Sequence, residues 1–473
     1  MFIDGEWLET RDKFPVFNPA NGEQIGEVVD GDESHAGMAI AAAGKAFRQW
    51  SRQTAYQRSA VLYRAYALML EQQASLAELM TREQGKPLKA AMNEVKYAAD
   101  FLLWFAEEAK RLYGETIPSA RADQRFLVQR SPIGVVAAIT PWNYPVSMIT
   151  RKVAPALAAG CTIVLKPAES TPLCAIAVFK ILEQAGVPAG VVNLVTSANP
   201  APIGREFCSN NVVRKLTFTG STHVGKTLAR DAAPQLKRVS MELGGHAPFI
   251  VFDDADPVHA AKGVSLVKFL NTGQACISPN RIFVQNTIAE SFLEVLQARI
   301  EKMKAGNGMQ EGVSIGPLVN ENALEKVDTQ VRDAIECGAV LHHGGHRLDK
   351  DGLDKGYFYA PTLLSGVTQS MRIYREETFG PVAPVMGFDT EEEVLEMAND
   401  TNYGLASYVY TRDISRAFRV FEGLNFGIVG INDINPTSAA APFGGMKESG
   451  IGREGAREGI EEYLETKLGG FSI

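Results

Sequence analysis

The chain has 473 residues, 45% of them hydrophobic and 22% charged, with a formal net charge of −8. That length exceeds one compact core and suits two or three domains, and the ordinary composition excludes a disordered, collagenous or repeat protein. No basic run is longer than a pair of residues, so a nucleic-acid partner is not expected.

Residues 1–7 carry Asp4 and Glu6 where a secretory signal needs basic and then apolar residues, which reads as a cytoplasmic start. Segments 51–83 and 89–113 place apolar residues at helical spacing. In the second of these, Tyr97, Phe101, Trp104 and Phe105 share one side, a stripe suited to core packing. The longest apolar stretch, 153–165, is shorter than the ~20 residues of a membrane helix, so no membrane association is expected. From residue 133 the pattern changes. Short apolar runs at 133–139, 162–165, 191–195 and 215–219 read as buried strands, separated by helix-like segments such as 173–185. Strands alternating with helices predict a parallel sheet covered on both faces. The alternation resumes after Glu242, with strands at 249–252 and 282–284 and helices at 257–270 and 289–304, which predicts a second α/β domain. Ser131-Pro132 and Gly244-Gly245 are the expected hinges.

The five cysteines are scattered and form no CxxC, which argues against a disulfide framework and a metal site. Cys161 lies in an apolar run, Cys174 and Cys337 in helix-like segments, and Cys208 in what reads as a polar turn. Cys276 differs. It sits in the small polar loop Asn271-Thr272-Gly273-Gln274-Ala275-Cys276, where backbone can approach a ligand and N–H groups can meet an oxyanion. It is the candidate nucleophile, although on local context alone buried filler is the commoner use of a cysteine. Glu242, at a strand end before Gly244-Gly245, is a candidate general base or a surface glutamate. Pro141-Trp142-Asn143 follows a strand, where open α/β sheets bind ligands, and the Asn143 amide can serve an oxyanion. Lys166 and Glu169 end the next strand and suit ribose hydroxyls, with an acid there favouring NAD over NADP. In 218–226 a strand enters a glycine turn and then a helix whose N-terminus can receive phosphate, but neither GxGxxG nor the Walker A pattern is present.

Taken together, in this order and spacing, these elements resemble the aldehyde dehydrogenase superfamily over essentially the whole chain, and most of all its NAD(P)-dependent succinate-semialdehyde dehydrogenases. Glu376-Glu377-Thr378-Phe379-Gly380-Pro381 and the segment 442–450 match as well. The resemblance implies a Rossmann-type cofactor domain (1–113 and 133–244), an α/β catalytic domain (245–445) and a small β oligomerisation flap (114–132 and 446–473). It implies oxidation of an aldehyde to the acid through a thioester on Cys276, with Glu242 as base, Asn143 at the oxyanion, and Lys152 and Glu454 relaying protons. Pro141, Trp142, Lys166, Glu169, Thr219, Gly220, Ser221, Gly225, Glu242, Leu243, Glu377 and Phe379 would bind NAD, or NADP. Arg151, Ser438 and Phe443 would hold the substrate, with Arg151 and Ser438 on its distal carboxylate.

One position departs from that pattern. Succinate-semialdehyde dehydrogenases usually carry a second Arg six residues before the nucleophile, and here that residue is Leu270. Another small aldehyde, such as 2-oxoglutarate semialdehyde, lactaldehyde or an uncharged one, therefore stays open, as does a non-catalytic scaffold on the same fold. Glu242 argues against a CoA-acylating relative, which generally lacks that base. His246 also departs from the commoner Lys or Asn, and a supporting hydrogen bond is the plain expectation for it. The C-terminal segment resembles the strand that builds homodimers and homotetramers in this superfamily.

Overall fold

The computed structural model describes residues 1–473. The opening helix Glu33–Trp50 is capped by Asp32. The predicted helix over 51–83 is two helices, Ala55–Glu71 and Gln73–Gln84, because Thr54 caps the first and Gln72 leaves helical geometry between them. Gly85, at φ 91°, ends the pair in the left-handed conformation that favours glycine. The next helix runs Leu88–Glu108. No helix is long and apolar enough to cross a membrane.

The first sheet has at its centre Val135–Ile139, flanked by Thr162–Lys166 and Val192–Leu194 on one side and by Val213–Thr219 and Arg238–Glu242 on the other. All four pairings are parallel. Chain order reverses at Val135–Ile139, so the strand ends diverge there and leave a crevice. Arg238–Glu242 is the strand that the reading of Glu242 at a strand end implied, and it is buried only over its last three residues. Two antiparallel edges were missed. Phe2–Ile3 joins Val192–Leu194, and Gly450–Ile451 joins Arg238–Glu242. Segment 446–473 is thus divided: its first part closes this sheet, while Leu464–Ser472 pairs antiparallel with Gln124–Pro132 in a separate three-stranded sheet.

The second sheet orders Val340–His343, Thr362–Ser365, Val382–Phe388, Pro279–Gln285, Ala247–Val251, Ala406–Tyr410 and Ile428–Ile431, parallel except at the first edge. The chain crosses between the two large sheets at residues 243–246, where Gly244-Gly245 was expected to bend. Gly245 serves close approach there: a Cβ would lie 2.2 Å from the Cys276 carbonyl oxygen. The first sheet's last strand is thereby brought against the loop of the candidate nucleophile.

Cys208 corrects the reading of a polar turn. It lies in the helix Pro200–Ser209, buried with Ile203 and Phe207, and its Sγ is 3.7 Å from the Leu228 carbonyl oxygen. The polar residues after it end the helix rather than surround the thiol.

Candidate active site

Cys276 stands between two cavities. One, of about 340 Å³, is lined by Lys86, Asn93, Tyr97, Tyr144, Arg151, Leu270, Asn435, Thr437 and Phe443. The other, of about 320 Å³, is the crevice at the first sheet's switch point, lined by Pro141, Trp142, Asn143, Thr219, Gly220, Ser221, Glu242, Leu243, Glu377 and Phe379. Cys276 and Met148 line both.

The loop that carries the thiol holds a costly backbone. Asn271 and Thr272 lie at φ 49° and 60°, where a β-branched residue is rare. Hydrogen bonds hold it there. Asn271 Nδ2 donates to the Asn143 carbonyl at 3.0 Å, Thr272 Oγ1 to the Gly316 carbonyl at 3.2 Å, and Gln274 Nε2 to the Pro317 carbonyl at 3.2 Å. Such overdetermination is what keeps a strained loop in place. Lys268, buried, ties the far side by donating to Asn280 Oδ1 at 2.9 Å and Ser278 Oγ at 3.2 Å, and burial brings its ammonium down to about 7.

Burial and the nearby Glu242 push the Cys276 thiol well above its ordinary range, with Arg151 opposing them, so the resting thiol is protonated. Burial, then the charge of Glu454, push the Glu242 carboxyl up to about 8, and neither of its oxygens has a partner. A buried carboxyl of that basicity, in the cleft that holds a protonated thiol, is placed to accept its proton. Behind it Glu454 pairs with Lys152 and lies 3.7 Å from Arg151 Nη1. Burial alone would raise Glu454, but Lys152 and Arg151 outweigh it and hold the carboxyl below its usual range. Lys152 Nζ also donates to Thr217 Oγ1 at 3.2 Å.

Asn143 is buried, and its Nδ2 donates to the Gln274 carbonyl at 3.0 Å, which leaves a second N–H on the same nitrogen. Two residues that sequence reading passed over hold this turn. Buried Lys86 pairs with buried Glu94 and donates to the Asn143 carbonyl at 2.8 Å. Glu94 accepts from the Val146 and Ser147 amides at 3.0 and 3.2 Å, at the start of the helix Ser147–Ala159 that carries Arg151 and Lys152. Their signal was one of register: a Lys and a Glu flanking a helix start and falling on its apolar side.

In the cofactor cleft, Ser221 caps the helix Thr222–Ala232, Trp142 meets Phe379 edge-on at 5.6 Å, and Glu377 accepts from the Gly245 amide at 2.9 Å. Thr219 Oγ1 and Thr378 Oγ1 are buried without partners in the same wall. Unpaired polar atoms beside a helix N-terminus fit a phosphate- and ribose-bearing ligand. Lys166 and Glu169 pair with each other at the adjacent strand end, next to the cleft and outside its wall. Gly225 does not reach the cleft. It lets its helix pack on Leu243, whose Cδ2 would lie 2.3 Å from an added Cβ.

Among the expected substrate residues, Arg151 and Phe443 meet in the first cavity with the guanidinium 3.9 Å from the ring centroid. Ser438 is exposed and absent from that wall, where Asn435 and Thr437 stand instead. Tyr97 corrects the core-stripe reading: its hydroxyl accepts from Arg151 Nη2 at 3.0 Å and it lines the cavity, while Phe101 and Phe105 are core. His246 reaches neither cavity, and its Nε2 bonds the Tyr374 carbonyl at 2.7 Å.

A sequence model of the aldehyde dehydrogenase family matches residues 7–468. The chain is 52% identical over 474 residues to 3-sulfolactaldehyde dehydrogenase of Pseudomonas putida, covering 99% of this chain and 96% of the relative. It is 50% identical over 469 residues to the NADP(+) succinate-semialdehyde dehydrogenase of Escherichia coli, covering 98% and 96%. The crystal structure of succinate-semialdehyde dehydrogenase from Burkholderia pseudomallei superposes with a TM-score of 0.98 at 48% identity, over 100% of this chain and 97% of that one. A thiol between two cavities, a basic buried carboxyl in its cleft and this near-complete match leave one assignment: the chain belongs to the aldehyde dehydrogenase family.

Proposed function

We propose that the protein oxidises a short aldehyde bearing a terminal acid group, such as succinate semialdehyde, to the carboxylic acid, with NAD(P) taking the hydride and water taking the acyl group. The observation that carries this reading is Arg151. Its guanidinium is 1% exposed, stands in the wall of the cavity that ends at Cys276, and leaves Nε without a partner. A planar fork of donors suits a carboxylate or sulfonate. The substrates named for the relatives from P. putida and E. coli both carry such a group. With Leu270 in place of a second cation, Arg151 is the chief anchor, assisted by Tyr97, Phe443 and the Asn435–Thr437 edge rather than by the Ser438 side chain.

In the reaction, Cys276 gives its proton to Glu242 and Sγ adds to the aldehyde carbon. The oxyanion that forms accepts from Asn143 Nδ2 and the Cys276 amide. Bound NAD(P) supplies the hydride acceptor that lets this adduct become a thioester. Once Glu242 has passed that first proton on, it takes another from the water that attacks the thioester carbonyl, and Cys276 leaves as a thiolate that takes this proton back. Lys152 and Glu454 carry the surplus proton outward. Pro141, Trp142, Thr219, Gly220, Ser221 and Leu243 line the cofactor's place, Glu377 and Phe379 its nicotinamide end, and Lys166 and Glu169 its adenosine end. In domain terms, 1–113 and 133–244, with 450–451, hold the cofactor, and 245–445 provides the nucleophile.

Arg151→Met is expected to raise KM for an acid-bearing aldehyde about tenfold or more, the weight of hydrogen bonds to a charged group, while KM for an uncharged aldehyde holds and kcat falls alike for both, because Arg151 also acts on the Cys276 thiol and Glu454. Equal rises in KM on both substrates would sink the anchor. Asn143→Ala should lower kcat about 10²–10³-fold with little change in KM, read by steady-state kinetics. Glu169 at the adenosine end should make NAD the preferred cofactor, and Glu169→Ser should shift the ratio of kcat/KM toward NADP by roughly tenfold.

The strand Leu464–Ser472 leaves Leu468 and Phe471 exposed at 62% and 52%, and covering them by a second copy gives a homodimer or homotetramer. All five cysteines are free, in keeping with a reducing, cytoplasmic location.

A further inference from the structure

A further cavity of about 400 Å³ abuts the substrate cavity on the outer side of Leu270. The two share the wall formed by Ala90, Asn93, Leu270 and Asn271. Leu270, 39% exposed, stands between them. Three cations line the outer cavity, Lys89, Arg299 and Lys302, and no carboxylate does. Arg299 is held in place by donating from Nε to Ser265 Oγ at 2.7 Å, while Lys89 and Lys302 are exposed. The chain as a whole carries a net charge of −8, so the field of these three cations is local to this opening.

We propose that this cavity is an anion-gathering antechamber, in which Lys89, Arg299 and Lys302 concentrate acid-bearing aldehydes at the mouth of the substrate cavity. The inference rests on the acidic-substrate reading above and deepens it. It also accounts for Leu270: attraction of the anion is moved from a second buried cation to three outer ones, which remain hydrated and avoid the desolvation that a buried cation suffers. A carboxylate or sulfonate passes over Leu270 and meets Arg151 inside.

Charge at this distance acts through local concentration and on-rate, and salt screens it over about 8–10 Å. The test is the double charge reversal K89E/K302E, assayed with succinate semialdehyde and with an uncharged aldehyde of similar length across a range of ionic strength. At low salt kcat/KM for succinate semialdehyde should fall about tenfold, kcat should hold, and the uncharged aldehyde should be unaffected. The deficit should close in about 0.5 M salt. An unchanged kcat/KM for the acid, or equal losses on both aldehydes, overturns the antechamber. Wild-type enzyme that prefers the uncharged aldehyde overturns the substrate reading beneath it, so the two failures are told apart.

Discussion

Cys276→Ala should lower aldehyde oxidation by at least about 10⁴-fold, the scale on which covalent catalysis is lost when its nucleophile goes. Alanine removes the only atom in the junction between the two cavities that can bond the aldehyde carbon. It leaves the loop's anchors, Asn271, Thr272 and Gln274, in place. NAD(P) binding, followed by fluorescence quenching, should therefore persist. No other thiol can substitute, since Cys161, Cys174 and Cys208 are buried in packing and Cys337 is exposed beyond the helix Glu321–Glu336. Retention of more than a few percent of the turnover would remove the thioester route.

Glu242→Gln is expected to lower steady-state turnover by about 10²–10⁴-fold. The amide preserves shape but cannot take the proton of the attacking water. Acyl-enzyme should accumulate, seen as a burst of reduced cofactor close to one per active site if the first proton finds another acceptor, and as a mass increase on the protein. The pH profile gives an independent reading. Burial and Glu454 raise the Glu242 carboxyl to about 8, so its basic form is scarce at pH 6 and grows as pH rises through that value. Thioester hydrolysis in the wild type should climb with pH and level off above about 8, and the climb should be absent in Glu242→Gln. A flat wild-type profile would contradict Glu242 as base. The same raised carboxyl implies a stability term with a defined sign. The neutral form is favoured in the folded chain, so this contribution is present at low pH and is lost as pH rises through about 8.

The strands around the first sheet's switch point, with Ala247–Val251 and Pro279–Gln285 of the second, were readable because they are short apolar runs buried on both faces, whereas Thr362–Ser365, Val382–Phe388, Ala406–Tyr410 and Ile428–Ile431 were not read from the sequence. Nor were the edges. Phe2–Ile3 and Gly450–Ile451 are two-residue strands, too short for any periodicity to register. The resemblance to the aldehyde dehydrogenases singled out Cys276, Glu242 and Asn143, which their local contexts alone left ambiguous, and the fold lines one cleft with all three, with the Lys152–Glu454 pair, named from the resemblance alone, behind them. What sequence could not reveal is how that junction is held. Lys86 and Glu94 lie eight residues apart in sequence and support a turn more than forty residues away, a relation that only the packed structure creates. Tyr97 misled for a related reason. It shares an aromatic stripe with Phe101, but the cavity reaches the helix one turn before Phe101, so the first ring of the stripe faces substrate space. Ser438 failed in the other direction, because the exposed loop around it presents Asn435 and Thr437 to the cavity.

The most direct test of the account compares succinate semialdehyde with butanal, with NAD(P) and without CoA, by kcat/KM and by chromatographic detection of the acid product. Arg151 beside Cys276 predicts that succinate semialdehyde wins by about tenfold or more and yields succinate in step with reduced cofactor. Preference for butanal, or reduced cofactor without free acid, would contradict it.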